Sequence, residues 1–343
     1  MRSSAQDAEP LRGLGVVDGR AELLRNSLDL AWDTAFTGIG LGGFQMAFSS
    51  YILLLHVGHT YHSHNLFLNV WLEQGLLGLA ALMWLLAAAV VAWRRVRRLG
   101  EGQGKAWAAA ALAAIAVIAV HGMVDDAFYG SRGVLLLFVP FALLTRAQAD
   151  AVWSAYEPPT LTEVLMSRNG FIAGVLLVFV LLLGLTPPVR SQFQANLGAL
   201  SQTQAEMSVY EWPTWPIQDA LRRDIGTGPG PVNLGPAIGH YEAALAIDEN
   251  NEVANRRLGQ IALSRGDYPA AGELLTTAYY NDYTNRAARQ LYGEWLAIDG
   301  RADRAKAVLR TVDVSSGQLD ARVWWYESIG EMEKAAAIRD AAD

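Results

Sequence analysis

The chain contains no cysteine among its 343 residues, which excludes disulfides, cysteine nucleophiles and thiolate metal sites. Charged residues are scarce at 18%, while hydrophobic residues reach 52%. The net charge is −7 and no basic stripe is present, so nucleic acid is excluded as an expected partner. Residues 1–19 lack the basic start and apolar core of a signal peptide, and we interpret them as a flexible polar segment. The composition predicts a membrane part joined to a water-soluble part.

Long apolar stretches predict four membrane-spanning helices. The first contains an uncharged run of 20 residues, Gln74 to Trp93, which is long enough to cross a hydrocarbon core of about 30 Å. The third stretch is short and must extend into its flanks or tilt. The sequence therefore predicts an all-α, multi-pass bundle over residues 66–189, with spans near 66–93, 106–124, 130–146 and 169–188.

The distribution of cations predicts the orientation of these spans. The loop from Arg94 to Lys105 is the most basic short loop, so we expect it on the cytoplasmic side. The loop from Asp125 to Arg132 and everything after Arg190 then lie outside. We therefore expect a multi-pass protein of the inner (plasma) membrane with an extracytoplasmic C-terminal part.

The C-terminal third is repetitive. After a predicted helix and a Gly/Pro-rich linker at 190–235, Ala237, Ala271 and Ala305 recur with a period of 34 residues. This helix–turn–helix period over 236–343 resembles tetratricopeptide repeats, in which alanine lets paired helices approach closely. We expect an α-solenoid of about three hairpins that folds by itself and binds protein partners. A generic stack of helical hairpins is the alternative.

Residues 20–65 form the predicted outer loop, which carries the residue types needed for chemistry. GRAELLRNSLDLAWDTA is compatible with an amphipathic helix in which Leu24, Ser27, Leu28 and Ala31 share one face. The glycine-rich turn GIGLGGF (38–44) follows, and the segment Thr60-Tyr61-His62-Ser63-His64-Asn65 leads into the first span.

The joint spacing of these motifs is similar to that of the O-antigen ligase and polymerase family. His64-Asn65 is followed by nine residues, Gly75, two residues and Gly78. The preceding Gly19-Arg20 and the turn with Gly38 and Gly40 occur in the same order, and the resemblance covers roughly residues 19–145. It implies a membrane glycosyltransferase that takes a glycan from undecaprenyl diphosphate on the outer face of the inner membrane.

The resemblance also implies the acceptor class and a division of chemistry among residues. A ligase passes the glycan to a sugar of the lipid A core, and relatives pass it to a growing polymer or to protein. The enzyme must deprotonate a sugar hydroxyl, for which a neutral histidine is suited, and hold a diphosphate, for which the planar fork of arginine is suited. We therefore expect His64 as the general base and Arg20 as the diphosphate ligand.

Further candidates surround these two residues. Arg25 and Arg132 compete with Arg20 for the diphosphate. The supporting positions are expected to be Gly38, Gly40, His62, Asn65, Glu73, Gly75, Gly78, His121 and Asp125. No cofactor is implied, because the diphosphate donor supplies the driving force. His56, His59, His62 and His64 raise the alternative of a metal site, but their irregular spacing and the absence of an HExxH pairing favour no metal.

Two departures from the family pattern leave alternatives open. Ala35 stands where the family commonly has proline, and no residues correspond to the family's preceding spans and their second outer arginine. We therefore expect the chain to be a fragment that lacks N-terminal spans. A polymerase of the same family and a non-catalytic membrane scaffold that presents the repeats are the alternative functions.

Overall fold

The structure is a computed structural model. It describes residues 19–58, 60–126, 129, 131, 133–152, 182–211, 217–226, 230–312 and 316–342. Within these ranges the chain is helical, and the one isolated bridge there joins His56 and Ile217. This agrees with the predicted all-α class. The described α-helices are Arg20–Asp33 (α1), Phe44–Tyr51 (α2), Leu66–Leu99 (α3), Gly102–Gly122 (α4), Val139–Val152 (α5), Pro187–Met207 (α6), Gly235–Ile247 (α7), Glu252–Arg265 (α8), Tyr268–Asn281 (α9), Arg286–Ile298 (α10), Ala302–Leu309 (α11), Ser316–Ser328 (α12) and Met332–Ala342 (α13).

Three helical segments of the described chain are long and apolar enough to cross a membrane, and they coincide with the first three predicted spans. They are Leu66–Leu99, Gly102–Gly122 and Val134–Ala151. The third combines a 3₁₀ turn, Val134–Phe138, with α5, so it does extend beyond its short apolar run. Small residues such as Ala89, Ala92 and Ala108 lie buried between these helices, where they allow close packing. Most of the predicted fourth span, 169–181, lies outside the described residues.

The buried face of α1 differs from the predicted one. Leu24 and Leu28 are each 40% exposed, whereas Leu30 and Ala31 are completely buried together with Ser27. The core that receives this face is built from α1, α2 and the start of α3, and it includes Ala287 of α10. The hydrophobic spacing alone therefore selected a face rotated from the one that packs, because that core includes Leu30 and leaves Leu24 and Leu28 at its edge.

The C-terminal helices pack in consecutive pairs, α6 with α7, α8 with α9, α10 with α11, and α12 with α13. The alanines of the 34-residue period lie on the second helix of their pairs and are fully or almost fully buried. The first pair includes α6, which the sequence placed ahead of the linker, so hairpin packing begins before residue 236 and involves four pairs. The specific likeness to tetratricopeptide repeats stays a prediction.

Buried ion pairs join these hairpins to the outer-loop helices. Asp33, at the end of α1, accepts hydrogen bonds from Arg256 and, at 2.7 Å, from Nη2 of Arg257, and all three side chains are 2% exposed or less. Nearby, Nη2 of Arg222 donates to Oγ of Ser50 at the end of α2 (2.7 Å). Because charges are costly to bury without a partner, these contacts fix how the outer loop sits on the hairpins.

We expect Asp33→Asn to destabilise the protein strongly, because the buried guanidinium of Arg257 loses its countercharge and that of Arg256 keeps only Glu252. Breaking a buried pair by removing one partner typically costs about 3–5 kcal/mol. The matched control is Asp299→Asn, which removes the carboxylate of a half-exposed pair with Arg301 and should cost about 1 kcal/mol or less. Thermal unfolding of the purified protein in detergent measures both. Equal, small shifts in the two variants would contradict the anchoring role of Asp33.

Candidate functional site

The site begins with a break in α3. Gly75 has φ +68° and ψ −170° inside this helix, a backbone conformation that favours glycine. The glycine-rich turn lies against the break and satisfies its backbone groups. Ile39 N donates to Leu72 O (2.8 Å), Gly40 N donates to Glu73 O (3.1 Å), and Leu76 N donates to Ala35 O (2.8 Å). A side chain at Gly38 or Gly75 would collide with backbone atoms of the other segment, so the two motifs are complementary surfaces.

Glu73 holds the beginning of α2. Its side chain accepts hydrogen bonds from the backbone N–H groups of Gly42 and Phe44 and bonds with the hydroxyl of Tyr129. A carboxylate at a helix N-terminus satisfies free N–H groups and interacts favourably with the helix dipole. Glu73 therefore has a structural role between α3 and α2.

The segment that carries the histidines is anchored at both sides of His64. Ser63 N donates to Oδ1 of Asn69, which is buried, at 2.9 Å. Asn65 caps α3 by accepting from Leu68 N at 3.0 Å, and its Nδ2 donates to Met123 O at 3.0 Å. His64 itself has φ +55°, a left-handed conformation that is uncommon for a residue with a side chain. Such conformations persist where the surroundings hold them in place, often at functional sites.

Several candidate residues come together at a single turn, residues 123–126, which follows α4. Nδ1 of His64 lies 3.1 Å from Oδ1 of Asp125, and Nδ1 of His62 lies 2.7 Å from Oδ1 of Asp126. Nη2 of Arg20 donates to Val124 O at 2.7 Å. The structure therefore brings His64, His62, Asn65, Asp125 and Arg20 to one place, although Asp125 follows His64 by 61 residues.

Asp125 is suited to orient His64. Its pKa is held below the usual value by a hydrogen bond from the backbone N–H of Asp126 and by the His64 side chain, so the carboxylate stays ionised at neutral pH. An ionised carboxylate accepts a proton-bearing Nδ1, which leaves Nε2 of a neutral His64 as the proton acceptor. This pairing of an imidazole with an orienting carboxylate is the arrangement that general-base catalysis uses.

The two histidines also form a cluster with ligand character. Their rings are 4.2 Å apart between centroids, and the ligand atoms of His62, His64 and Asp125 all lie within 4.8 Å of one another. His56 instead pairs through its backbone with Ile217, and His59 lies outside the described residues. Of the four histidines that the sequence grouped together, the structure therefore keeps His62 and His64 together and places His56 in a different contact.

The remaining candidates lie at varying distance from this cluster. Arg25 is near enough to Asp29 and Arg289 to affect the pKa of both, so it faces the C-terminal hairpins. His121 contributes its backbone carbonyl, which accepts from Asp125 N at 2.8 Å, while the residue itself is exposed. Arg132 lies outside the described residues. Ala35, at the position where the family has proline, contributes a carbonyl that accepts from Leu76 N and from Nε1 of Trp71.

Sequence reasoning missed Asp126 and Tyr129. Asp126 is buried and its pKa is raised mainly by that burial. Tyr129 accepts a hydrogen bond from Nε2 of Gln74 (2.9 Å), and burial is the main reason that its pKa is raised. The adjacent carboxylates at the end of the second apolar run were the available signal for Asp126, and no pattern in the sequence singles out Tyr129.

An apolar cavity of 690 Å³ lies beside Tyr129. It runs between the membrane helices α3, α4 and α5, and its polar end is formed by Glu73, Gln74 and Tyr129. Gly78 also lines the cavity, and a side chain there would collide with the side chain of Gln74. The cavity is large enough for a segment of a hydrocarbon chain with a polar group at one end.

We expect Gly75→Ala to disrupt the site, because the added methyl group would overlap the carbonyl of Phe36 and strain a left-handed backbone. The strain alone costs on the order of 1–3 kcal/mol. The control is Gly104→Ala in α4, where a methyl group meets open space and should be neutral or stabilise by up to about 1 kcal/mol. Melting temperatures of the purified variants test this. An unchanged Gly75→Ala protein would mean that the turn and the break are not locked together.

Comparison with known proteins agrees with part of this picture. Residues 12–83 match the sequence model of a family described as O-Antigen ligase. No curated protein and no solved structure matches the chain significantly. The matched segment contains Arg20, the glycine turn, His64 and Gly75, and it ends before Asp125. The three apolar helices and this match agree with a membrane protein that is similar to O-antigen ligases over residues 12–83.

Proposed function

We propose that the protein is a membrane glycosyltransferase that moves a glycan from a polyprenyl diphosphate, in bacteria undecaprenyl diphosphate, to an acceptor hydroxyl. The observation that carries this proposal is the pairing of His64 with Asp125 on the turn that also binds Arg20. The local match to O-antigen ligases supports the substrate class. The acceptor is a sugar hydroxyl, of a lipid A core in a ligase or of a second glycan in a polymerase.

His64 is the general base in this proposal. Asp125 holds the proton on Nδ1, so Nε2 of His64 takes the proton of the acceptor hydroxyl. The hydroxyl oxygen then forms a bond to the anomeric carbon while the bond from that carbon to the diphosphate oxygen breaks, and the diphosphate leaves with the electron pair. The positive charge that His64 gains is stabilised by the neighbouring carboxylate, as in other imidazole–carboxylate pairs.

Arg20 binds the diphosphate in this scheme. One N–H of its exposed guanidinium is used by Val124 O, and this contact directs the group toward the turn that carries Asp125. The permanent charge and forked donors of arginine suit a diphosphate, whose charge increases as it leaves. Arg25 is disfavoured by its position near Arg289, and Arg20 is therefore the preferred ligand among the described arginines.

The apolar cavity between α3, α4 and α5 is the proposed site of the prenyl chain. Its walls are hydrophobic, and its polar end lies at Glu73, Gln74 and Tyr129. Tyr129 follows the turn 123–126 closely in sequence, so a lipid in the cavity would present its head group toward the histidine cluster. The C-terminal hairpins contact the outer loop directly, so we propose that they hold the site and contribute to acceptor or partner binding.

Replacing His64 with alanine should reduce glycan transfer by about 10²–10⁴-fold, because the general base is lost. Expression and membrane insertion should remain near normal, since the His64 side chain is partly exposed. The matched control is His121→Ala, which removes an exposed imidazole next to the same turn and should leave transfer within a few-fold of the parent. The assay uses purified protein in liposomes with a lipid-linked glycan donor. Substantial transfer by His64→Ala would overturn the assignment.

The proposal also requires the site and the hairpins to lie outside the cytoplasm. Because the chain has no cysteine, single cysteines can be labelled without background. In intact cells, an impermeant maleimide should label Glu249→Cys, which is in the C-terminal hairpins. It should label Gln103→Cys, in the basic loop, only after the membrane is permeabilised. The reverse pattern would place the site on the wrong side for an outward-facing lipid donor.

A further inference from the structure

The cluster formed by His62, His64 and Asp125 has the composition of a transition-metal site. One ring nitrogen of each histidine and one carboxylate oxygen lie within 4.8 Å of one another. A zinc ion binds such ligands at about 2.0–2.2 Å, so in tetrahedral geometry its ligand atoms lie roughly 3.3–3.6 Å apart. The side chains must therefore approach one another by roughly 1 Å to close around an ion. They are between 33% and 39% exposed, so an ion can reach them.

A second observation comes from Asp126. Its side chain is fully buried, and neither carboxylate oxygen accepts a hydrogen bond from the described residues, although Oδ1 is 2.7 Å from Nδ1 of His62. That Nδ1 already faces the backbone N–H of His64, which donates to it at 3.3 Å. At 2.7 Å the two atoms form an ion pair when His62 is protonated. A buried carboxylate in this position favours a cation, a proton or a metal ion, beside His62.

We propose that His62, His64 and Asp125 bind a divalent transition-metal ion of the zinc class, with Asp126 as the buried negative charge beside it. Imidazole and carboxylate ligands suit zinc and its neighbours in the first transition row, whereas magnesium prefers oxygen ligands and water. Three protein ligands leave an open position for water. The spacing of the histidines in the sequence did not predict this site, because the third ligand, Asp125, lies on a turn that is distant in the chain.

The consequence of this site rests on the proposed function. A metal ion on Nδ1 of His64 replaces the proton that Asp125 holds there, and the neutral ring then carries its proton on Nε2. Nε2 no longer accepts a proton from the acceptor hydroxyl, so the ion switches the base off. The same cluster therefore exists in a proton-loaded, active form and in a metal-loaded, inactive form.

Binding is tested first, without reference to activity. The full chain, purified in detergent and stripped with a chelator, is titrated with zinc by calorimetry, with magnesium as the comparison ion. We expect one saturable zinc site with micromolar or tighter affinity and none for magnesium. His62→Ala should weaken zinc binding at least about 10-fold, while His121→Ala should leave it unchanged. No saturable zinc site, or equal affinity in His62→Ala and the parent, would overturn the proposal.

A second variant tests whether a loss of zinc binding could result from misfolding. His62→Gln keeps a polar side chain of similar length but is a poor zinc ligand, so it should bind zinc as weakly as His62→Ala. His62→Gln, whose amide can still donate to the buried Asp126, should elute and melt like the parent protein in the absence of zinc. Parent-like zinc affinity in a well-folded His62→Gln protein would contradict the role of His62 as a ligand.

Transfer then tests the consequence. Zinc should inhibit transfer by the parent protein reversibly, and a chelator should restore it. His62→Ala, compared with its own zinc-free rate, should need at least about 10-fold more zinc for the same inhibition. If chelation abolishes transfer and zinc restores it, the inhibitory consequence and the base role of His64 are both wrong, while the metal site stands. If zinc binds as expected but His64→Ala still transfers glycan, only the proposed function fails.

Discussion

A break in a membrane helix leaves backbone groups that must find partners, because the membrane offers them no water. In α3 the break is at Gly75, and the turn from Ala35 to Gly40 supplies those partners through backbone hydrogen bonds at both sides of it. This turn leads into α2. Glu73, which belongs to α3, accepts hydrogen bonds from backbone N–H groups at the N-terminus of α2. The position of the outer loop over the membrane helices is therefore fixed by main-chain complementarity, which explains the paired glycines.

The C-terminal hairpins also hold the outer loop in place. Asp33, Ser50 and the backbone near Phe36 are held by side chains of α6, α8 and the segment before α7, and most of these groups are buried. Buried charges tolerate few alternative arrangements, since any shift leaves one of them unpaired. The hairpins thus act on the outer loop as a rigid support. Because of these contacts, we expect removal of the hairpins to disturb the outer loop, and independent folding of residues 236–343 stays a prediction.

Several features could be predicted from the sequence because they depend on local pattern. Composition and apolar length identified the first three spans, and the 34-residue period identified alanines that are buried between paired helices. The features that the sequence did not predict correctly depend on contacts with residues distant in the chain. The exposed Leu24 and Leu28, the capping role of Glu73 and the ion pairs of Asp33 are set by surfaces that no local pattern encodes. His64 and Asp125 were both candidates, but their contact spans 61 residues and required the fold.

The central claim is that Asp125 acts on transfer through His64, and a double-mutant cycle tests it most directly. Rates of transfer are compared for the parent, His64→Ala, Asp125→Asn and the double variant in the same liposomes. Because residues that act as a unit are not additive, the double variant should be no slower than His64→Ala alone. Losses that multiply, so that Asp125→Asn slows the His64→Ala protein as much as it slows the parent, would contradict the account.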